Sequence, residues 1–238
     1  MKTVCSGFVV RTFPFGDSGL IVKMLSDSGR FFSFLVRGAR RKGKQAQSVF
    51  FSPMAHVQIS FSERENKTLF TAQSVSSDPL FASIQHDLEK TAVCMYWAEA
   101  LYRLHPEEQS DEALYQTVTR FMHLLDEGTE LRHLPQAFLC SLVGLMGVSP
   151  QGTYTSETPC FSIPLHAFCA DGFTDPAHTL SGSEAEYVSA LFQGFPLQAE
   201  YTREVRRMVR RRLEEYLRLH VNAQFFPVSG EVLETVFD

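Results

Sequence analysis

Five short apolar stretches in the first third of the chain alternate residue by residue, and beyond Leu80 the period lengthens to that of a helix. Strands show successive residues to opposite faces, whereas helices return to the same face every three or four. Phe8 to Phe15 and Leu20 to Leu25 are rich in Val, Ile, Thr and Phe. Arg30 to Arg37 then places Phe31, Ser33, Leu35 and Arg37 on one side and Phe32, Phe34 and Val36 on the other. Met54 to Phe61 and Thr68 to Val75 repeat the pattern. Asp27-Ser28-Gly29 marks a tight reversal, since Asp and Gly tolerate the dihedrals it needs. Five short strands joined by brief turns close readily into a small barrel, and the OB-fold is the commonest five-stranded case.

The expected fold class is therefore α+β: an N-terminal five-stranded OB-fold β-barrel over residues 1–78, then a mostly α-helical domain over residues 79–238. Leu88 to Tyr102 reads as a long helix, ended at His105-Pro106. Ser110, with Asp111 and Glu112 as acids in the first turn, reads as the cap of a second, which runs through Leu125. Leu134 to Met146, Ser183 to Phe192 and Ala199 to Val221 complete the helices. Between them, at about residues 150–181, lies an irregular insertion rich in Gly, Pro, Thr and Ser.

Charge is distributed unevenly. The 238 residues carry a formal net charge of −5, which argues against an all-over basic binder. Binding follows local potential, however, and residues 1–50 hold Lys2, Arg11, Lys23, Arg30, Arg37, Arg40, Arg41, Lys42 and Lys44 against only Asp17 and Asp27. The stretch Arg37 to Lys44 is the densest basic run, and its glycines suit a loop held out toward a polyanion. A solvated basic surface is the plainer alternative. Phe31, Phe32, Phe34, Phe50 and Phe51 lie beside these cations; most belong in a core, with one or two left to stack on unpaired bases. A second basic run lies on the last helix, where Arg203, Arg207, Arg210 and Arg211 share a face flanked by Arg206. It reads equally as a second DNA contact or as a face that is solvated or binds acidic proteins. The candidate DNA-binding residues are thus Arg11, Lys23, Arg37, Arg40, Arg41, Lys42, Lys44, Arg206, Arg207, Arg210 and Arg211.

No phosphate-cradling Gly-x-x-x-x-Gly-Lys-Ser/Thr, no Gly-x-Ser-x-Gly and no His-Glu-x-x-His occurs, so the expectation is a protein that is not an enzyme. Five widely spaced cysteines (Cys5, Cys94, Cys140, Cys160 and Cys169) suit free thiols in a reducing compartment. The amino terminus, a lysine and a short apolar run interrupted by Arg11, does not read as a signal peptide. No apolar run reaches the ~20 residues of a membrane span. A cytoplasmic, nucleoid-associated protein is expected.

More specific are Val10-Arg11-Thr12-Phe13-Pro14-Phe15-Gly16-Asp17-Ser18-Gly19-Leu20-Ile21-Val22, Ser28-Gly29-Arg30, Arg37-Gly38-Ala39-Arg40-Arg41 and Phe51-Ser52-Pro53-Met54. In this order they resemble the amino-terminal domain of the RecO family, bacterial recombination mediators and DNA-repair proteins. Asp111 to Tyr115, Leu124-Leu125-Asp126, Leu145-Met146-Gly147-Val148-Ser149-Pro150 and Arg212 to His220 are similar to its later segments. The resemblance implies binding to single- and double-stranded DNA, annealing of complementary strands, complex formation with RecR, binding to the acidic C-terminal tail of single-strand DNA-binding protein, and, indirectly, loading of RecA. The rival is an adaptor whose basic face binds acidic proteins without DNA. Many family members hold zinc through two Cys-x-x-Cys pairs within the insertion. Here Cys160, His166, Cys169 and His178 lack the close pairs that set tetrahedral geometry, so no metal or other cofactor is expected. Packing of Phe161, Ile163, Leu165, Phe168 and Phe173 is expected to hold the insertion instead.

Overall fold

A computed structural model describes every residue except 1, 42–47, 64–66, 78–79, 105–109, 173, 198 and 238, with the side chains of 2, 48 and 49 also outside the description. The chain divides into two compact units, Met1–Glu127 and Gly128–Asp238.

The first unit is built on a closed barrel with strand order β1-β2-β3-β5-β4. Its strands are β1 (Lys2–Phe15), β2 (Gly19–Ser26), β3 (Phe31–Val36), β4 (His56–Ser62) and β5 (Leu69–Ser77). β1 is long enough to serve two neighbours: its first half pairs with β4 and its second with β2, and the parallel β3–β5 pairing completes the ring. This is the five-stranded OB-like barrel that the alternation predicts. Phe32, Phe34, Phe61 and Phe70 meet inside it, with ring centroids 5.0–6.4 Å apart. Each such side chain contributes about 2–3 kcal/mol on leaving water, plus an edge-to-face term. Val9, Leu20, Val22, Met24, Val57 and Ile59 fill the remainder.

Two helices complete this unit, α1 (Leu88–Leu104) and α2 (Glu112–Glu127). α2 begins where Asp111, rather than Ser110, accepts the Leu114 amide at 3.1 Å, an N-cap that satisfies one orphan donor. The Ser110 hydroxyl instead donates to the Ser28 carbonyl at 2.9 Å, tying this start to the β2–β3 turn. Gly29, in that turn, has φ +73° and donates no side chain for a reason: a Cβ there meets the Asp111 carbonyl at 2.3 Å. Its own carbonyl accepts the Asp111 amide at 3.1 Å. Outside the barrel wall, Phe8 packs on His56, Phe81 and Tyr115, and His56 Nε2 lies 3.2 Å from the Tyr115 hydroxyl.

The second unit contains α3 (Leu134–Leu145), α4 (Gly182–Gln193), α5 (Arg203–His220) and α6 (Ser229–Val236). The stretch that reads as irregular holds a small sheet, β6 (Cys160–Ser162) between β7 (Ala167–Cys169) and β8 (Thr179–Ser181). Strands of three residues are too short for alternation to register. Phe161, Ile163 and Phe168 are buried as expected, Leu165 is exposed, and Phe173 lies outside the described residues. Cys160 and Cys169 face each other across β6–β7, His166 stacks on Tyr216, and His178 Nδ1 lies 2.5 Å from Glu215 Oε1. The two cysteines thus face each other, while His166 and His178 go to Tyr216 and Glu215 of α5. Among the described residues no group of three or more His, Cys, Asp or Glu is placed to hold a metal ion, and no helix is long and apolar enough to cross a membrane.

Gly29→Ala is expected to destabilise the first unit by about 2 kcal/mol or more, combining a left-handed backbone with a backbone clash. Gly16→Ala has φ +56° but open space, and is expected to cost about 1 kcal/mol. Denaturant midpoints of the two variants check the difference.

Candidate nucleic-acid interface

The barrel's outer wall is set by a bulge. Cys5 and Val9 point into the core, so unbroken alternation sends Arg11 and Phe13 inward as well. The β1–β2 register slips between Val9 and Arg11: Val9 faces Met24, Arg11 faces Lys23, and Val10 is the extra residue. A bulge of this kind inverts the parity of everything beyond it. Arg11 and Phe15 are consequently exposed and Phe13 half-buried on the outside.

Two parallel rows result. Cross-strand pairing runs Arg11–Lys23–Ser33–Leu69 in one and Phe13–Ile21–Leu35–Thr71 in the next. The first carries both cations; the second is largely apolar, and Phe13, Ile21 and Leu35 are each half-buried. Directly opposed cations repel, and the ring of Tyr102 from α1 offsets this. The Arg11 guanidinium lies 5.4 Å and Lys23 Nζ 5.3 Å from its centroid. Arg11 also lies 5.8 Å from Phe13, whose ring is 6.0 Å from Tyr102. Such contacts contribute about 0.5–1 kcal/mol each where partly exposed. Burial pushes the Lys23 ammonium below its ordinary value. Tyr102 had no sequence signal beyond its place near a helix end.

The basic run after β3 is only partly a free loop. Arg37 and Arg41 are exposed, but Ala39 is buried in the barrel core and anchors the turn. Arg40 folds back: its amide donates to Ser18 O at 2.9 Å, Nε to Gly19 O at 3.1 Å and Nη2 to Gly16 O at 2.6 Å. It staples the β1–β2 turn while its guanidinium remains at the surface. Lys42 and Lys44 lie outside the described residues.

In the second unit the arginines of α5 have divided. Arg210 is 5% exposed and lies between Glu214 and Glu234. Arg211 makes a two-pronged pair with Glu234 at 2.8 and 2.7 Å. The Arg211 hydrogen bond holds the Glu234 carboxyl below its ordinary range, with Arg210 adding to it. Helical spacing put Arg210 on the same stripe as its neighbours and one turn from Glu214; its second acid partner, Glu234, comes from a different helix, which spacing cannot reveal. Arg206 donates to the Tyr201 carbonyl, and Arg207 is exposed. Arg132, Arg203, Arg206 and Arg207 rim a shallow groove floored by Pro135, Leu233 and Phe237. A basic rim over an apolar floor suits an acidic, apolar peptide.

The sequence matches two family models, Recombination protein O N terminal over residues 1–78 and Recombination protein O C terminal over residues 85–225. A protein named DNA repair protein RecO from Bacteroides fragilis is 31% identical over 150 residues, which cover 63% of this chain and 61% of that protein. The aligned part thus spans less than two thirds of that relative. Proteins of the same name from Flavobacterium psychrophilum and Bacillus velezensis are each 24% identical, over 245 residues covering 100% of both chains and over 254 residues covering 100% and 98%. Barrel and helical segments are matched in order by two models that together take in most of the sequence, and the chain belongs to the RecO family of DNA repair proteins.

Proposed function

We propose that this chain is a non-enzymatic mediator of DNA repair and recombination in the cytoplasm, at the nucleoid. It binds single- and double-stranded DNA, anneals complementary strands and, with RecR, helps load RecA onto DNA coated by single-strand DNA-binding protein. The observation that carries the reading is the outer barrel wall, where the paired cations Arg11 and Lys23 lie beside a row of half-buried apolar side chains. Arg11 and Lys23, with Arg37, Arg40 and Arg41 at the end of β3, take the phosphates and release counterions. Phe13, Phe15 and Tyr102 offer faces on which unpaired bases stack without being read. Lys42 and Lys44 extend the same charged run in sequence. Sequence-independent contact of this kind holds strands loosely enough for complements to find each other.

The α5 arginines take a different role in this reading. Arg206 and Arg207, with Arg132, receive the carboxylates of the acidic C-terminal tail of single-strand DNA-binding protein along the groove, with Pro135 beneath the tail's apolar residues. Arg210 and Arg211 are engaged by Glu234 and Glu214, so a direct phosphate contact from either requires those pairs to open.

The paired substitution Arg11→Ala/Lys23→Ala is expected to weaken single-stranded DNA binding about tenfold at low salt. It should also flatten the log–log salt dependence by about 0.7 for each lost phosphate contact. Fluorescence anisotropy across a salt series checks this, and an unchanged slope contradicts it. Arg207→Glu is expected to leave that affinity intact while weakening binding of a synthetic tail peptide about tenfold. It should also slow annealing only when the DNA is precoated with single-strand DNA-binding protein. Equal slowing on bare DNA contradicts the division of labour.

A further inference from the structure

The C-terminal family model ends at residue 225, and α6 lies beyond it. α6 has 8 residues, a length that does not sustain a helix in water without docking. Its hold is slight. Leu233 is its one deeply buried large apolar side chain, whereas Val228 and Val232 are 64% and 39% exposed. The other anchor is Glu234, on Arg210 and Arg211. The Gly230 backbone lies flat on Arg210, where a Cβ meets Nη1 at 2.5 Å.

The chemistry of this segment matches that of the groove it borders. Glu231, Val232, Leu233, Glu234, Val236 and Phe237 are an acidic, apolar run. The arginine helix thus already carries a peptide of the class assigned to its groove, with a carboxylate on its arginines and Leu233 and Phe237 against the same rim.

We propose that α6 is an intramolecular ligand of the arginine helix, competing with acidic, apolar peptides for that face and giving way when one binds. The proposal rests on the groove being a peptide site, as argued above. A slight hold and like-charge repulsion favour exchange over a fixed wall. A two-turn element with one deeply buried large apolar side chain opens at low cost compared with the core. Carboxylates arriving at Arg206 and Arg207 also lie beside Glu234, and like charges repel it while Arg210 keeps Glu214 as its second partner. Departure of Glu234 then hands Arg211 to the incoming peptide. α6 therefore sets a threshold: weak acidic segments are refused, and a tail presented at high local concentration is admitted.

Amide hydrogen exchange of the full chain, with and without a saturating synthetic tail peptide, tests this directly. Exchange across residues 229–236 is expected to speed up by about tenfold on saturation. Glu234→Gln is expected to tighten the peptide about tenfold or more, the weight of one charge-assisted hydrogen bond. Unchanged or slower exchange at saturation makes α6 a fixed wall and overturns the proposal, while the measured binding leaves the groove reading standing. A second probe does not depend on the tail: a peptide copying residues 226–237, added to the full chain carrying Leu233→Asp and Glu234→Lys. It is expected to bind this released variant at least tenfold more tightly than the unaltered chain, whose own α6 is in place. Equal binding, or none to either, overturns the proposal. If the copy binds the released variant while the tail peptide binds no form of the chain, the groove reading fails and α6 remains an intramolecular ligand.

Discussion

A closed barrel gives each strand one buried face, and the rest of the first unit follows from that constraint. Once Phe34 and Phe61 meet at its centre, the parity of β2, β3 and β4 is fixed, because a slip of one residue places every apolar side chain in water. The outward residues are then free to be chosen for another purpose. β1 is the exception: it serves β4, and β2 as far as Val9, with one parity and the rest of β2 with the other, and the extra residue at Val10 makes the change. Without that bulge Arg11 has no way out of the core and Lys23 has no cation opposite it.

The resulting wall combines two kinds of interaction that oppose each other in isolation. Cations in direct cross-strand register are unfavourable. Setting an aromatic ring within reach of both makes the arrangement tolerable. On α5 the opposite solution is used: Glu214 and Glu234 neutralise Arg210 and Arg211, leaving the positive potential to Arg132, Arg206 and Arg207 at the groove. One surface keeps its cations beside stacking faces, the other keeps them around an apolar floor, and these suit different ligands.

Much of this was legible in the chain. Strand alternation gave the five strands, because each has one face that must be apolar. The long helices were plain from their period and caps, α1, α2 and α3 beginning or ending within a few residues of their expected limits. What stayed hidden depends on neighbours remote in sequence. Val10 looks like one more strand residue until its partner strand is known. Arg210 reads as a surface cation until Glu234 arrives from another helix. Tyr102 looks like a buried helix position, and it becomes part of the candidate interface only through Arg11 and Lys23. The strands of the small second sheet and the two turns of α6 are too short to carry a period at all.

In the proposed function, unpaired DNA lies along the outer barrel wall with its bases on exposed Phe15 and half-buried Phe13 and Tyr102. Photocrosslinking of a halogenated single-stranded oligonucleotide, followed by peptide mass spectrometry, addresses it most directly. The account predicts adducts at Phe13, Phe15 or Tyr102, lost when Arg11 and Lys23 are replaced by alanine. Crosslinks confined to the second unit, with the barrel wall unlabelled, contradict it.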